Sequence, residues 1–305
     1  KAAVVSVQLT VTDDDDGAAS LGTRDNVIEI EGAAAADSIT IRDLVNGASA
    51  TDASFKGIHL STNAAYTLQE NLFISNDAAS TGITIKTAGL FTQGAGNSLD
   101  ETAQNAGIFL EATDFKLDVD NVDSIQTRGT VTLKDTSGNL VINGANGGDG
   151  GNNTLTDAEL AAIDNEITGL SIISAAGIDV AANGYFDISD GGVADLTLTS
   201  ATANIDFLVD GNNDGVKAKS ITVVATAGEI TQQASSAFAL HSTDGNVALT
   251  AATKIGDAIE MDVEVIGGFL AINAVGAGDV NINANASALA LGDILLGAAD
   301  TASIK

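Results

Sequence analysis

Leu196-Thr197-Leu198, Ile221-Thr222-Val223 and Val247-Ala248-Leu249 are three triplets whose first residues stand 25 and 26 positions apart. Leu170-Ser171-Ile172 comes 26 positions before them, and Leu270-Ala271-Ile272 and Ile294-Leu295-Leu296 follow at steps of 23 and 24. A second series keeps pace: Ile178, Ile205, Ile230, Ile255 and Val280, at steps of 27, 25, 25 and 25. A third, looser series is Phe186, Val216, Phe238, Val263 and Leu289. Each unit therefore holds three short stretches of alternating character, separated by Gly, Asn, Asp, Ala and Ser.

A short stretch that alternates inward and outward is a strand. Three strands in a unit of about 25 residues, with the unit repeating, make one rung of a parallel β-solenoid. A single rung cannot bury its inward side chains. Stacked rungs bury a continuous apolar column and pair their backbone groups with the rungs on either side. Small residues suit the corners, where the chain turns sharply. A β-sandwich also has short strands and turns, but nothing in it demands a fixed register through successive units. The spacing predicts an all-β, right-handed parallel β-helix of roughly twelve rungs.

The same register reaches back into the first half. Ile58, Ile83 and Ile108 are 25 apart, and strands are expected at 4–12, 27–30, 38–41, 58–60, 72–74, 83–85, 108–110, 117–119, 131–133 and 140–142. Residues 143–169 interrupt it. A Gly/Asn-rich loop is followed by Thr156-Asp157-Ala158-Glu159, whose Thr-x-x-Glu spacing makes a capping box. A short helix is expected at 156–164, inserted into a single solenoid domain spanning 1–305.

The 305 residues are 45% hydrophobic but only 4% aromatic, with no Trp, so Val, Ile, Leu and Ala are expected to fill the column. The 41 acidic and 12 basic residues give a net charge of −29. That balance disfavours nucleic acid and anionic membrane as partners. It favours solubility, repulsion between copies and attraction for divalent cations. There is no Cys and no Pro. Disulfides and thiolate metal sites are therefore absent. No apolar run approaches the roughly 18 residues that a membrane-spanning helix needs. The chain opens on Lys1 without a signal-like pattern, as expected of a processed product or an excerpt of something longer.

Three segments carry a family resemblance. They are Asn153-Thr154-Leu155-Thr156-Asp157-Ala158-Glu159-Leu160-Ala161-Ala162-Ile163 followed by Gly169-Leu170-Ser171-Ile172; Leu249-Thr250-Ala251-Ala252-Thr253-Lys254-Ile255-Gly256-Asp257-Ala258-Ile259; and Gly278-Asp279-Val280-Asn281-Ile282-Asn283-Ala284. Their run of strand, small residues, Ile-Gly and strand resembles the repeat region of bacterial filamentous-haemagglutinin-like exoproteins. The resemblance implies a right-handed β-helical rod, exported by two-partner secretion, serving outside the cell as an adhesin or surface filament.

Two sets of residues are candidate metal ligands. Asp210, Asn212 and Asp214, followed by Gly215, match the opening of a calcium loop. The twelfth position, where a bidentate Glu belongs, is Ile221, so the loop is partial at most. Asp13, Asp14, Asp15 and Asp16 form a run of four carboxylates that could hold a hard cation, calcium foremost. Each set has a plainer reading, an Asx-rich corner and a solvated turn. Asp149 is a weaker candidate, and Asp157 at the helix start offsets the helix dipole. His59 and His241, the two histidines, are read as surface residues.

Catalysis of the polysaccharide-degrading β-helix kind needs carboxylates grouped with Arg or Lys on one sheet. The 12 basic residues are scattered, and no nucleophile elbow, phosphate loop or His-based triad is present. The expectation is a non-catalytic rod. Its expected partners are copies of itself end to end, neighbouring segments of a longer chain, or a cell-surface glycan or protein.

Overall fold

A computed structural model describes residues 5–6, 27–31, 39–40, 57–69, 71–74, 82–101, 106–142, 153–164, 166–181, 185–188, 194–209, 215–234, 238–274, 276, 278–284, 289–297 and 301–305. The fold is a parallel β-solenoid of about eight turns of roughly 25 residues. The expected twelve is more than the described residues contain, since few of the first 56 are described. The chain packs as two compact units: Lys1–Thr136 with Ala158–Ile167, and Ser137–Asp157 with Thr168–Lys305.

In the first unit the three coils that begin at Gly57, Gly82 and Ile108 each contribute one strand to each of three sheets. One sheet runs Val27–Glu31, Gly57–Thr62, Gly82–Thr87, Ile108–Ala112 and Thr130–Asp135. The second holds Tyr66–Leu68, Leu90–Gln93 and Asp114–Lys116, and the third Leu72–Ile74, Leu99–Glu101 and Ile125–Thr127. Ile58 pairs with Ile83 and Ile83 with Ile108, as the 25-residue spacing predicts, and Ile108 pairs with Val131, 23 residues on. All four are buried. Each such side chain contributes about 1.5–3 kcal/mol by leaving water.

Two expectations for this unit need correction. The strand placed at 117–119 lies earlier, at Asp114–Lys116. An aromatic ladder sets the register there: Tyr66 pairs with Phe91 and Phe91 with Phe115, all three buried. The Tyr66 and Phe91 rings stack with centroids 6.2 Å apart. The column is thus not filled by aliphatic residues alone. The helix expected at 156–164 is one turn, Asp157–Leu160. Beyond it a turn follows, with the Ala162 and Ile163 N–H groups donating to Glu159 O and Leu160 O, both at 3.1 Å, and residues 161–164 take further backbone partners at and just before the third sheet's strand Ile125–Thr127. Asp123 N–H donates to Ala161 O at 3.1 Å, Ile125 N–H to Ala162 O at 2.8 Å and Asp164 N–H to Ile125 O at 3.0 Å. Glu159 turns inward, where its Oε1 accepts the Leu117 N–H at 3.3 Å.

The second unit repeats the plan. Its longest sheet stacks Gly169–Ser174, Asp195–Ser200, Ser220–Ala225 and the later halves of Leu240–Ala251 and Met261–Ala274. Leu170, Leu196, Ile221, Val247 and Leu270 form one inward ladder in it, as expected. Ile205 pairs with Ile230, Ile230 with Ile255 and Ile255 with Val280, all fully buried.

The third ladder departs from its expected membership. It runs Phe186, Val216, Leu240 and Val263, and Val263 is followed by Ala284. Phe238 stands beside it, edge-on to His241 with centroids 5.7 Å apart. Leu240–Ala251 rounds a corner as one strand with register shifts near Gly245, so spacing counted along the chain misplaces its inward residues. Ile294 likewise pairs with Ile272, and Leu291 takes the place over Leu270. An extra residue in the later strand shifts the register there. Gly292 sits in that irregularity, where an added Cβ would come within 2.5 Å of the Phe269 ring.

Corners are closed by inward hydroxyls. Ser174 pairs with Ser200, Ser200 with Ala225, Ala225 with Ala251 and Ala251 with Ala274, all buried. Ser174 Oγ donates to Gly138 O at 2.6 Å and accepts the Ala176 N–H at 3.3 Å. In the first unit Thr62 Oγ1 accepts the Ala64 N–H and Thr87 Oγ1 the Gly89 N–H, both at 3.2 Å. Each hydroxyl supplies a turn with the partner that a sheet gives elsewhere.

Candidate functional site

A filled solenoid meets its surroundings through its outer faces. Because strand side chains alternate, the residues between the buried ladders form outward ranks, repeated about every 4.8 Å along the stack. What each rank carries decides what that face can do.

In the first unit one outward rank of the longest sheet aligns Ser61, Lys86, Glu111 and Lys134. Lys134 Nζ stands 3.2 Å from Glu111 Oε2, and Lys86 Nζ lies 5.7 Å from the Phe109 ring centre. In the second unit Asp187, Lys217, His241 and Glu264 align in the same way. Lys217 Nζ contacts Asp187 Oδ2 at 2.6 Å, and His241 Nδ1 contacts Glu264 Oε2 at 2.9 Å. Lys254 joins Glu229 at 3.3 Å and Asp257 at 2.8 Å. The half-exposed Lys134–Glu111 and Lys217–Asp187 pairs each add up to about 1 kcal/mol. The scarce lysines thus link neighbouring coils. His59 occupies an outward, half-buried position between Ile58 and Leu60, in keeping with the surface reading.

Other carboxylates face their own kind. Burial, followed by the Asp164 charge, raises the Asp100 carboxyl above the ordinary range. Asp114 is raised by burial and by Asp135, against the Phe115 N–H that donates to it at 2.9 Å. Burial, Asp164 and Glu166 raise Asp123. In the second unit burial and Asp206 raise Asp179, while Asn139 Nδ2, donating to Asp179 Oδ2 at 2.5 Å, opposes them. These are pairings of acid with acid. A charge-neutralising proton or cation would relieve each of them.

Asp13, Asp14, Asp15, Asp16, Asp149, Asp210, Asn212 and Asp214 lie outside the described residues. Among the described residues, no group of three or more His, Asp or Glu side chains could hold a metal ion. Gly215, which ends the Asp-x-Asn-x-Asp-Gly run, has φ of 131°. A Cβ on it would come within 2.3 Å of Ala239 O. Stacking against the next coil therefore already requires this glycine.

Sequence reading missed the buried polar groups. Glu101 and Asp135 are fully buried, and Thr127 Oγ1 donates to Glu101 Oε2 at 3.0 Å. Gln232 Nε2 donates to the buried Asp262 Oδ2 at 2.6 Å, and Gln232 Oε1 accepts the Asp262 N–H at 2.8 Å. A signal was available: Glu101 and Asp135 each lie two residues after an inward leucine, Leu99 and Leu133, and so share the inward phase.

One outer face differs from the rest. On the longest sheet of the second unit, one outward rank is Ser171, Thr197, Thr222, Ala248 and Ala271. The next is Ile173, Thr199, Val224, Thr250 and Asn273. All ten are partly exposed, and none carries a charge. At one end of the face Leu295, paired with Asn273, is 56% exposed, and Phe269, two residues before Ala271, is 41% exposed.

No family model, curated protein or solved structure matches the chain.

Proposed function

We propose that this chain is a non-catalytic structural segment of a bacterial surface or secreted filament, related to the filamentous-haemagglutinin-like adhesins and working outside the cell. The observation that carries this reading is the stacking of like on like, Ile205 under Ile230 under Ile255. A stack of nearly equal coils resists bending, and its length scales with the number of coils. Its described acid–base pairs mostly join one coil to the next, which suits a load-bearing shaft better than a reaction centre. The expected partners are further coils at the ends, from the same longer chain or from other copies, with a glycan or protein receptor on the surface.

Electron microscopy of the purified chain tests this. Narrow particles of uniform width, single or joined end to end, are expected. Compact, rounded particles would refute the rod.

A second reading adds calcium, on the strength of the Asp210-x-Asn212-x-Asp214 spacing and the charge of −29. Here the chain acts as a calcium-stabilised adhesin module that does not polymerise. Calcium should then raise the melting temperature of the chelator-treated chain, and Asp210→Asn with Asp214→Asn should abolish the rise. A melting temperature indifferent to chelation removes the metal from the account.

A further inference from the structure

We infer that the uncharged outer face of the second unit's longest sheet is a lateral docking surface for the same face of a second copy of this chain. The charge balance carries the choice of occupant. With 41 acidic and 12 basic residues, two copies repel wherever their charged faces meet. The neighbouring faces of this unit carry such rows, Asp179 with Asp206 on one and Asp187, Lys217 and Glu264 on another. The two ranks through Thr197 and Thr199 hold no charge across five strands. A basic partner would be drawn to the acidic faces instead. A flat rank of Thr, Val, Ile and Ala is best matched by another of its kind, and two such sheets pack about 10 Å apart.

The exposed apolar residues point the same way. Every large hydrophobic residue that the described part of the second unit leaves exposed is on Met261–Ala274 or Ala290–Leu296. Leu295 among them continues the Thr199 rank by pairing with Asn273, and the exposed Asp195 and Asp293 mark the charged border of the two uncharged ranks. Five strands at about 4.8 Å and two ranks each about 6.6 Å wide cover roughly 300 Å². A standard stable interface buries about 800 Å² per partner. The pairing is therefore weak and reversible, and it is governed by the repulsion between the remaining surfaces. A two-fold arrangement uses the same patch on both copies. This side-by-side contact is separate from any joining of coil ends.

Sedimentation equilibrium of the full chain tests it. Raising salt from about 0.1 M to about 1 M shortens the screening length from about 10 Å to about 3 Å. Dimerisation should strengthen at least tenfold across that range. Thr222→Glu, in the middle of the face, should weaken it at least tenfold, and Thr222→Val should strengthen it. A folding defect would weaken both variants alike. Ser61→Glu, exposed on the first unit, should leave pairing within about twofold of the parent, because an added charge off the contact acts only through the screened field. A chain that stays monomeric at both salt concentrations overturns the proposal. So does association that survives Thr222→Glu, which would place the contact on the coil ends or another face.

Discussion

Asp206 lies one coil above Asp179, Cα against Cα in parallel register, with Asn139 donating to the lower carboxylate and Thr231 to the upper. Burial and this neighbour hold the Asp179 carboxyl above its usual range, and Asp100, Asp114 and Asp123 are raised as well. A carboxyl whose folded pKa exceeds its unfolded value binds protons more tightly when folded. Its cost is present in full above the folded pKa and is relieved as pH falls towards about 4. Stability should therefore rise from pH 7 to about pH 4.5. Below that it should fall, as Asp257 and Asp279, whose carboxyls are lowered by hydrogen bonds to Lys254 and Thr301, lose their charge. Thermal melts across this range check the sign, and a melting temperature that drops steadily from pH 7 to 5 refutes it. Asp179→Asn should raise the melting temperature at pH 7 by on the order of 1–3 °C and flatten the rise.

Ile230 sits fully buried between Ile205 and Ile255. Ile230→Ala should cost about 2–5 kcal/mol, because the coils on either side cannot collapse into the gap without leaving register. Urea unfolding should show the midpoint fall accordingly. A loss under about 0.5 kcal/mol, the usual size of a surface change, would mean that the column is not packed there.

Gly82 and Gly138 separate two uses of glycine. Gly82 has φ of 81°, and a Cβ on it would meet Gly107 O at 2.0 Å. Nothing lies within 4 Å of a Cβ on Gly138. Gly82→Ala should destabilise by about 1–3 kcal/mol or more, whereas Gly138→Ala should be near neutral. Equal effects in the same unfolding assay would discredit the contact between coils.

Gln232 satisfies the buried Asp262 through two hydrogen bonds, and Asn283 Nδ2 adds a third at 2.7 Å. Gln232→Ala removes one donor to that carboxylate and the acceptor of the Asp262 N–H, and should cost about 1–3 kcal/mol. A loss under about 0.5 kcal/mol by urea unfolding would show that these buried bonds contribute nothing.

The inward apolar ladders were legible because vertical stacking demands similar residues at fixed intervals, and Ile58-Ile83-Ile108 and Ile205-Ile230-Ile255 meet that demand. Corners were harder to read. Leu240–Ala251 carries one strand around a bend, so a count along the chain chose Phe238 over Leu240. The 156–164 helix was overdrawn because Ala158, Leu160 and Ile163 satisfy a helical period and also an extended strand edge, and backbone partners near Ile125 decided between them. Glu101, Asp135 and Asp262 were invisible to a reading that took polar residues as outward. The candidate ligands Asp13–16 and Asp210, Asn212 and Asp214 fall outside the described residues.

The hydroxyl at each bend, Ser174 and Ser200 in one unit and Thr62 and Thr87 in the other, answers to carbonyls and amides of its own coil or an adjacent one. Nothing distant has to change when such a coil is copied or deleted. A gene carrying this chain can lengthen or shorten its product by in-frame duplication or loss of about 75 bases, one coil's worth at three bases per residue. Reach would then be a heritable trait that evolves faster than the fold.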